Sequence, residues 1–271
     1  MNGRGRNARQ RCGTIHPVKI LVLGNSDTAG TVAGAKTWPR VAADLVSAQG
    51  LAVTELNDVS FSAVGGRAAE FAERKVRELE PDLVILPIGT FAYTVGFVWV
   101  QVRERFGVRA ATLYRRLEQS FERRTGSRSG GSRSPAKLAV NHAGRRFVRA
   151  IIGARPLTTQ EELTENYRQI LRAVARIEAV EVLVVGYPME SGPLAKKKLT
   201  TPARRLRFNA DIREEAEAHH YRMLIADDVF AGHPDGNLIT PDGFHLNAAG
   251  HRVLGEAAAV VIMEDAADAG R

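Results

Sequence analysis

The sequence predicts an α/β protein in which helices cover both faces of a parallel, five-stranded sheet. The first observation is that short, almost purely aliphatic runs alternate along the chain with longer amphipathic segments. Alternation of this kind is typical of βαβ units, whose strands are parallel. The second observation is that these runs are apolar at nearly every position rather than at alternate ones. This is the pattern of strands that are buried on both faces.

Five aliphatic runs are the predicted strands, and they occupy residues 19–24, 51–56, 82–89, 181–187 and 222–228. The segments between and after them space their apolar residues as helices do. One helix has a clear start signal, because Thr159 and Glu162 have the spacing of a capping box. Sites in parallel sheets form at the carboxyl ends of the strands, so the residues after each run are candidate site residues.

One segment carries the basic charge of the chain, whose formal net charge is +8. Residues 97–155 contain fourteen Lys or Arg and three Asp or Glu, a net +11, which leaves −3 for the rest. This distribution argues against a whole domain built to bind nucleic acid. We predict a single domain over residues 18–271, with a mostly helical basic insertion, or cap, at 97–156 after the third strand.

The N-terminal residues 1–17 are basic and lack the apolar core of a signal peptide, so we expect a disordered tail. The lone cysteine, Cys12, lies there, which excludes an intrachain disulfide and fits a reducing compartment. No apolar run approaches the roughly 20 residues that a bilayer requires. We therefore expect a cytoplasmic protein without a membrane partner, and the oligomeric state stays open.

The turn at residues 24–30, "GNSDTAG", has two possible functions, because glycine-rich turns after a first strand hold phosphates or present nucleophiles. A P-loop requires Gly-x-x-x-x-Gly-Lys-Ser/Thr. Here five residues separate Gly24 from Gly30, and Thr31 follows without a lysine. The dinucleotide pattern Gly-x-Gly-x-x-Gly is absent as well. The spacing therefore favours a nucleophile, Ser26, over a phosphate cradle.

A nucleophilic serine requires an imidazole that takes its proton and a carboxylate that orients the imidazole. Asp242 and His245 offer this pair in the loop before the last predicted helix. The three-residue offset lets the carboxylate reach Nδ1 while Nε2 points at Ser26. We predict Ser26, His245 and Asp242 as the catalytic residues. The alternative, that Ser26 only caps the first helix, leaves the Asp242–His245 pair unexplained.

At these residues the sequence resembles the SGNH (GDSL-type) hydrolase superfamily. The tripeptide 24–26 matches the family's Gly-Asp-Ser turn with Asn25 in place of Asp, and "DGFHLNAAGH" matches its Asp-x-x-His block. The glycine expected after the second strand is Gly66, or alternatively Gly65. The resemblance implies a three-layer α/β/α, flavodoxin-like fold and acyl-ester hydrolysis or acyl transfer without a metal or other cofactor. It also implies an oxyanion hole formed by the N–H groups of Ser26 and Gly66.

The third block departs from the family pattern of Gly-x-Asn-Asp, because residues 89–92 are "GTFA". Phe91 stands where the family has an asparagine, and a phenyl ring cannot donate to an oxyanion. Loss of one such donor costs roughly 3–4 kcal/mol in other enzymes. Thr90 or Tyr93 could supply a hydroxyl instead, and Asn141 is a more distant candidate. We assign Thr90, Phe91 and Tyr93 to the predicted substrate-binding region.

Three functions follow from these patterns. The leading one is a serine-dependent esterase or acylhydrolase that acts on a small-molecule ester or acyl substrate. The second is an acyltransferase that uses the same triad and a small-molecule acceptor. The third is a non-catalytic or nucleic-acid-binding relative, suggested by Phe91 and by the Arg/Ser/Gly-rich tract. It ranks last because it gives the three triad residues no reason to stay together.

Overall fold

The computed structural model confirms the parallel, five-stranded sheet. The structure describes residues 17–26, 28, 36–89, 91–94, 96–125, 151–186, 202–233, 237–240 and 245–269. The strands are β1 (Val18–Gly24), β2 (Val53–Ser60), β3 (Leu83–Ile88), β4 (Glu181–Gly186) and β5 (Arg222–Ile225). The helices within the described ranges are α1 (Trp38–Ala48), α2 (Ala68–Leu79), α3 (Phe91–Thr94), α4 (Val98–Thr125), α5 (Gln160–Ala175), α6 (Pro202–Ala218), α7 (Ala226–Ala231) and α8 (Ala248–Ala269). None of these helices combines the length and the apolarity that a membrane crossing requires.

The strand order is β2-β1-β3-β4-β5, and each neighbouring pair is parallel. This is the flavodoxin-like order, in which the direction of winding reverses between β1 and β3. Ligand sites of such sheets lie outside the carboxyl ends of the strands at this switch point. The segment after β1 therefore occupies the place where a site is expected.

One hydrophobic cluster of the core lies between the sheet and the pair formed by α1 and α8. Side chains of β1, β3 and β4 are almost all buried, which explains why their sequences are aliphatic without alternation. Trp38 at the start of α1 is fully buried, as are Ala258 and Leu254 of α8. Each fully buried aliphatic or aromatic side chain contributes about 1.5–3 kcal/mol, so this layer supplies much of the stability.

Two strands differ by more than one residue from their predicted bounds. The edge strand β2 runs on to Ser60 instead of ending at residue 56, and its last residues are polar because only one side of it faces another strand. Strand β5 ends at Ile225 rather than at residue 228. Asp227 and Asp228 lie in the first turn of α7 instead. Carboxylates are favourable there because they face the positive end of the helix dipole.

The capping box predicted at the start of α5 is confirmed. The N–H of Glu162 donates to Thr159 Oγ1 at 3.1 Å, and the N–H of Thr159 donates to Glu162 Oε2, also at 3.1 Å. This backbone donor, together with the Thr158 hydroxyl, lowers the pKa of the Glu162 carboxyl. The first four N–H groups of a helix have no partner within the helix, and the capping box gives one of them an acceptor. Local sequence thus fixes where α5 begins.

The chain divides into two compact units, of which the first comprises Met1–Gly89, Thr164–Lys196 and Leu206–Arg271. The second comprises Thr90–Leu163 and Lys197–Arg205. In the second unit Phe97 and Arg155 form an antiparallel bridge, with N–O distances of 2.6 and 3.2 Å. The predicted insertion, 97–156, falls within the range of this unit. Its function as a cap stays a prediction, and its residues 126–150 lie outside the described ranges.

The long helix predicted in the basic segment is confirmed as α4, with a break at Gly107, whose φ is 82°. Two of its arginines lie against one indole ring: the guanidinium carbons of Arg103 and Arg115 are 5.7 and 4.9 Å from the ring centroid of Trp99. A third arginine, Arg155, pairs with Glu104 at 3.0 Å. Contacts of this kind stabilise surface helices by modest amounts, so these arginines have a local structural function.

A buried histidine connects α8 to the start of α1. His251 is 1% exposed, and its Nδ1 accepts a hydrogen bond of 3.3 Å from the backbone N–H of Trp38. The imidazole thereby satisfies one of the donors that a helix N-terminus leaves without a partner. Burial lowers the pKa of His251, and the positive charge of His245 lowers it further. The folded protein therefore keeps this ring neutral.

We expect the stability that His251 contributes to depend on pH. The pKa of His251 in the folded protein lies below the unfolded value of about 6.5, so the unfolded chain binds more protons as pH falls. The stability that His251 contributes is therefore complete above about pH 6.5 and is lost at lower pH. At pH 7.5, His251→Leu should lower the free energy of unfolding by about 1–3 kcal/mol, because the Trp38 N–H loses its acceptor. Urea denaturation between pH 7.5 and pH 5 should show this difference shrinking. The exposed His233 provides the matched control, His233→Leu; a pH-independent difference for His251→Leu would contradict the assignment.

Candidate active site

The turn after β1 presents Ser26 to solvent. The carbonyl of Asn25 accepts two hydrogen bonds from Thr28, one from its N–H at 3.2 Å and one from its hydroxyl at 3.0 Å. The turn is thus closed on Asn25, and the exposed Ser26 lies inside it. This places the predicted nucleophile at the carboxyl end of β1, at the switch point of the sheet.

The turn is locked to the neighbouring strand by a contact that the sequence did not reveal. Thr28 is 2% exposed, and its hydroxyl lies 3.2 Å from Oδ1 of Asp58 on β2. Burial raises the pKa of the Asp58 carboxyl, while the Thr28 hydroxyl and the charge of Arg40 act in the opposite direction. A Cβ atom on Gly24 would overlap both Thr28 Oγ1 and Asp58 Oδ1. Position 24 must therefore be glycine because the backbone passes so close to this pair.

A second turn positions His245. Its carbonyl accepts hydrogen bonds from Thr240, at 2.8 Å from the N–H and 3.1 Å from the hydroxyl. The next residue, Leu246, is fully buried and pairs with Ile239 in an antiparallel bridge. Asn247 then caps α8, because its Oδ1 accepts from the N–H of Gly250 at 3.0 Å. The backbone from the carbonyl of His245 onward is thus held in place.

The two turns bring the predicted nucleophile and base together. Ser26 Oγ lies 3.2 Å from His245 Nε2, although the residues are 219 positions apart in the sequence. This is at the upper end of hydrogen-bond distance, and catalytic hydrogen bonds are often loose before substrate binds. In the tautomer with a proton on Nδ1, Nε2 accepts the serine proton. The structure thus places the Ser26 hydroxyl within hydrogen-bond distance of an imidazole nitrogen.

The predicted carboxylate, Asp242, lies in residues 241–244, outside the described residues. The hydrogen bonds between Thr240 and His245 join the two ends of this short segment. Its assignment as the group that orients His245 stays a prediction.

The predicted oxyanion donor, Gly66, lies in the loop between β2 and α2. The loop leaves the sheet beside the serine turn, since the N–H of Phe61 donates to the carbonyl of Gly24 at 2.8 Å. Asn166 of α5 contacts the middle of this loop, where its Nδ2 donates to the carbonyl of Ala63 at 2.8 Å. Gly66 itself is exposed, one residue after Gly65, whose φ is 112°. Its function as an oxyanion donor stays a prediction.

The remaining predicted residues come from the segment after β3. Thr90 and Asn141 lie outside the described residues, and the side chain of Phe91 does as well. Tyr93 lies in α3 of the second unit, and it is 5% exposed. The assignment of these residues to substrate binding stays a prediction.

The end of β3 has a partner that sequence analysis missed. The hydroxyl of Tyr167 on α5 accepts from the N–H of Gly89 at 3.3 Å and lies 3.5 Å from the carbonyl of Pro87. Burial raises the pKa of Tyr167 to about 12, so the phenol stays protonated and can donate to that carbonyl. Tyr167 itself is 6% exposed, so its ring packs in the core while its hydroxyl reaches the end of β3.

We expect Gly24→Ala to disturb the serine turn. The new methyl group must displace Thr28 or Asp58, and overpacking of this kind costs roughly 1–3 kcal/mol. Gly89→Ala is the matched control at the end of β3, because a Cβ there meets no atom within 4 Å; its effect should stay within about 0.5 kcal/mol. Urea denaturation measures both changes. Equal stability of the two variants would show that the close approach at Gly24 has no cost.

Comparison with known proteins identifies a family. The sequence matches the GDSL-like lipase/acylhydrolase family over residues 22–253, which include both Ser26 and His245. No curated protein matches the chain.

Three solved structures share the fold at low sequence identity. An acetyl xylan esterase, AlAXEase, is 12% identical, with 90% of this chain and 100% of that chain covered and a TM-score of 0.52. Est24, a carbohydrate acetylesterase from Sinorhizobium meliloti, is 13% identical, with coverages of 91% and 99% and a TM-score of 0.51. A catalytic mutant of Axe2, an acetylxylan esterase from Geobacillus stearothermophilus, is 13% identical, with coverages of 90% and 94% and a TM-score of 0.52. The family match and the shared three-layer fold lead to one conclusion: this chain is a hydrolase of the GDSL-like lipase/acylhydrolase family.

Proposed function

We propose that the protein is a serine-dependent esterase or acylhydrolase that works through an acyl-enzyme. The observation that carries this proposal is the 3.2 Å approach of Ser26 Oγ to His245 Nε2 at the switch point of the sheet. A serine hydroxyl becomes an effective nucleophile only when such a base takes its proton during attack. The exposure of Ser26 at the end of β1 leaves room for an acyl group.

In the proposed mechanism, Ser26 attacks the acyl carbonyl while His245 Nε2 takes the serine proton. The imidazolium then gives this proton to the leaving alcohol, and the acyl group stays on Ser26. A water molecule, deprotonated by His245, attacks the acyl-enzyme and releases the acid. Asp242 is the proposed carboxylate that holds His245 in the reactive tautomer and stabilises its positive charge.

The proposed oxyanion hole has fewer donors than the family pattern. The N–H groups of Ser26 and Gly66 are two donors, and Phe91 stands at the position of the third. One donor less corresponds to a rate lower by about 10²–10³ unless another group replaces it. Thr90 and Tyr93 carry the nearest hydroxyls in the sequence and stay the predicted replacements.

Transfer of the acyl group to an alcohol or amine is the second candidate. It uses the same acyl-enzyme and differs only in which nucleophile reaches the ester in the second step. A weak oxyanion hole slows attack by water and by an acceptor alike, but a bound acceptor recovers part of this loss through proximity, which favours this candidate.

We expect Ser26→Ala to abolish both labelling and turnover. A fluorophosphonate probe should label the wild-type protein at Ser26, as mass spectrometry of the digested protein would show. The variant should lose about 10³-fold or more of kcat/KM on 4-nitrophenyl acetate, because the nucleophile is absent. Ser120→Ala, on the exposed surface of α4, is the control and should behave as wild type. An unlabelled wild-type protein would favour the non-catalytic alternative instead.

We expect hydrolysis rather than transfer when acceptors are supplied. Rapid mixing with 4-nitrophenyl acetate should release a burst of about one nitrophenol per enzyme, followed by a slower steady rate, because the acyl-enzyme accumulates. Addition of glycerol or ethanolamine should leave the steady rate unchanged, with acetate as the product. A steady rate that rises with the acceptor, together with acylated acceptor in the mass spectrum, would identify an acyltransferase.

A further inference from the structure

A cleft of about 580 Å³ lies in the first unit, between the end of β2 and the first turns of α2. Its principal lining residues are Phe61, Gly66, Arg67, Glu70, Phe71 and Arg74. The cleft begins next to the serine turn, because the N–H of Phe61 donates to the carbonyl of Gly24 at 2.8 Å. It also includes Gly66, the proposed oxyanion donor. A substrate whose carbonyl reaches Ser26 can therefore extend into this cleft.

The cleft has an aromatic wall with a cation beside it. The rings of Phe61 and Phe71 lie with their centroids 5.9 Å apart and their planes inclined by 30°. The guanidinium of Arg74 lies over the Phe71 ring, 5.3 Å from its centroid. Such a surface accepts a flat apolar group, and the arginine places a positive charge beside it.

Arg67 and Arg74 differ from the neighbouring cations Lys75 and Arg77 in their ion pairing. Lys75 pairs with Glu78 and Arg77 with Glu73, at 2.8 and 2.9 Å. Arg67 and Arg74 form no ion pair with any residue of the described ranges. Arg74 lies four residues after Glu70, which is favourable spacing for a helical ion pair, yet it covers Phe71 instead.

We propose that this cleft binds the non-reacting part of the ester, and that this part is a flat ring carrying a carboxylate or phosphate group. Arg67 and Arg74 bind the anion, since guanidinium groups match the planar geometry of such oxyanions. The ring packs against Phe61 and Phe71. With Glu70 included, the charged residues that line the cleft sum to +1, and this positive charge disfavours cationic esters. The proposal rests on the proposed esterase function, because it takes Ser26 as the nucleophile beside the cleft.

The first test measures binding without turnover. Ser26→Ala protein is titrated by calorimetry with 3-acetoxybenzoate, with its uncharged methyl ester and with 3-acetoxyphenyl phosphate. We expect one or both anions to bind at least about tenfold more tightly than the methyl ester, because charge-assisted hydrogen bonds have that strength. Comparison of the two anions shows which oxyanion the cleft prefers. Equal binding of all three compounds would overturn the proposal.

Matched variants then locate the binding. In the Ser26→Ala background, Arg67→Gln and Arg74→Gln should each weaken anion binding by about tenfold and leave the methyl ester unaffected. Arg77→Gln removes a paired cation of the same helix and should change neither. All three side chains are exposed, and circular dichroism checks that the variants fold. If Arg77→Gln weakened anion binding as much as Arg74→Gln, the assignment of the anion to this cleft would be wrong.

Turnover by protein with Ser26 intact separates this proposal from the esterase function. A higher kcat/KM on the anionic esters than on the methyl ester, lost in Arg67→Gln and Arg74→Gln, supports both proposals. Hydrolysis of all esters at equal rates in every variant would overturn the cleft and leave the esterase standing. Tight, arginine-dependent binding without any turnover would overturn the esterase and retain the anion site.

Discussion

The site depends on the close approach of two loops that leave the same edge of the sheet, which brings Ser26 Oγ within 3.2 Å of His245 Nε2. Parallel strands make this possible, because all of their carboxyl ends lie on one edge. The contact is then fixed from both sides. Thr28 and Asp58 hold the serine turn against β2, and Thr240 holds the carbonyl of His245. Holding the backbone at both residues lowers the entropy cost of bringing such a pair together.

Packing between α1 and α8 supports the same pair. His251 joins the two helices through the N–H of Trp38, and it lies close enough to His245 for their charges to interact. Two neighbouring imidazoles could compete for a proton. Burial and the charge of His245 both lower the pKa of His251, so the buried ring stays neutral and His245 is the ring proposed to take the serine proton. His251, which stabilises the core, thereby also favours the proposed role of His245 as the base.

The sequence predicted those features that local patterns determine. Uninterrupted aliphatic runs identified the strands, and the spacing in the Asp-x-x-His block led to His245 before any geometry was known. The contact between Thr28 and Asp58 could not be predicted, because it joins the turn after β1 to β2 and depends on the register of these two strands. The same holds for Tyr167, whose hydroxyl meets Gly89 across 78 residues while its ring fits a core pattern. The end of β2 was missed for a different reason: an edge strand tolerates polar residues, which interrupt the apolar signal.

The departure at Phe91 and the cleft beside Gly66 are connected through energetics. A hole with one donor fewer stabilises the transition state less, so small esters that make no other contact should react slowly. Binding energy from a remote part of the substrate can offset this loss if it holds the carbonyl against the remaining donors. Because Gly66 lies on the wall of the cleft, an anion held by Arg67 and Arg74 would anchor the substrate next to that donor. The combination favours selectivity over general esterase activity, since only esters that fill the cleft recover the lost stabilisation.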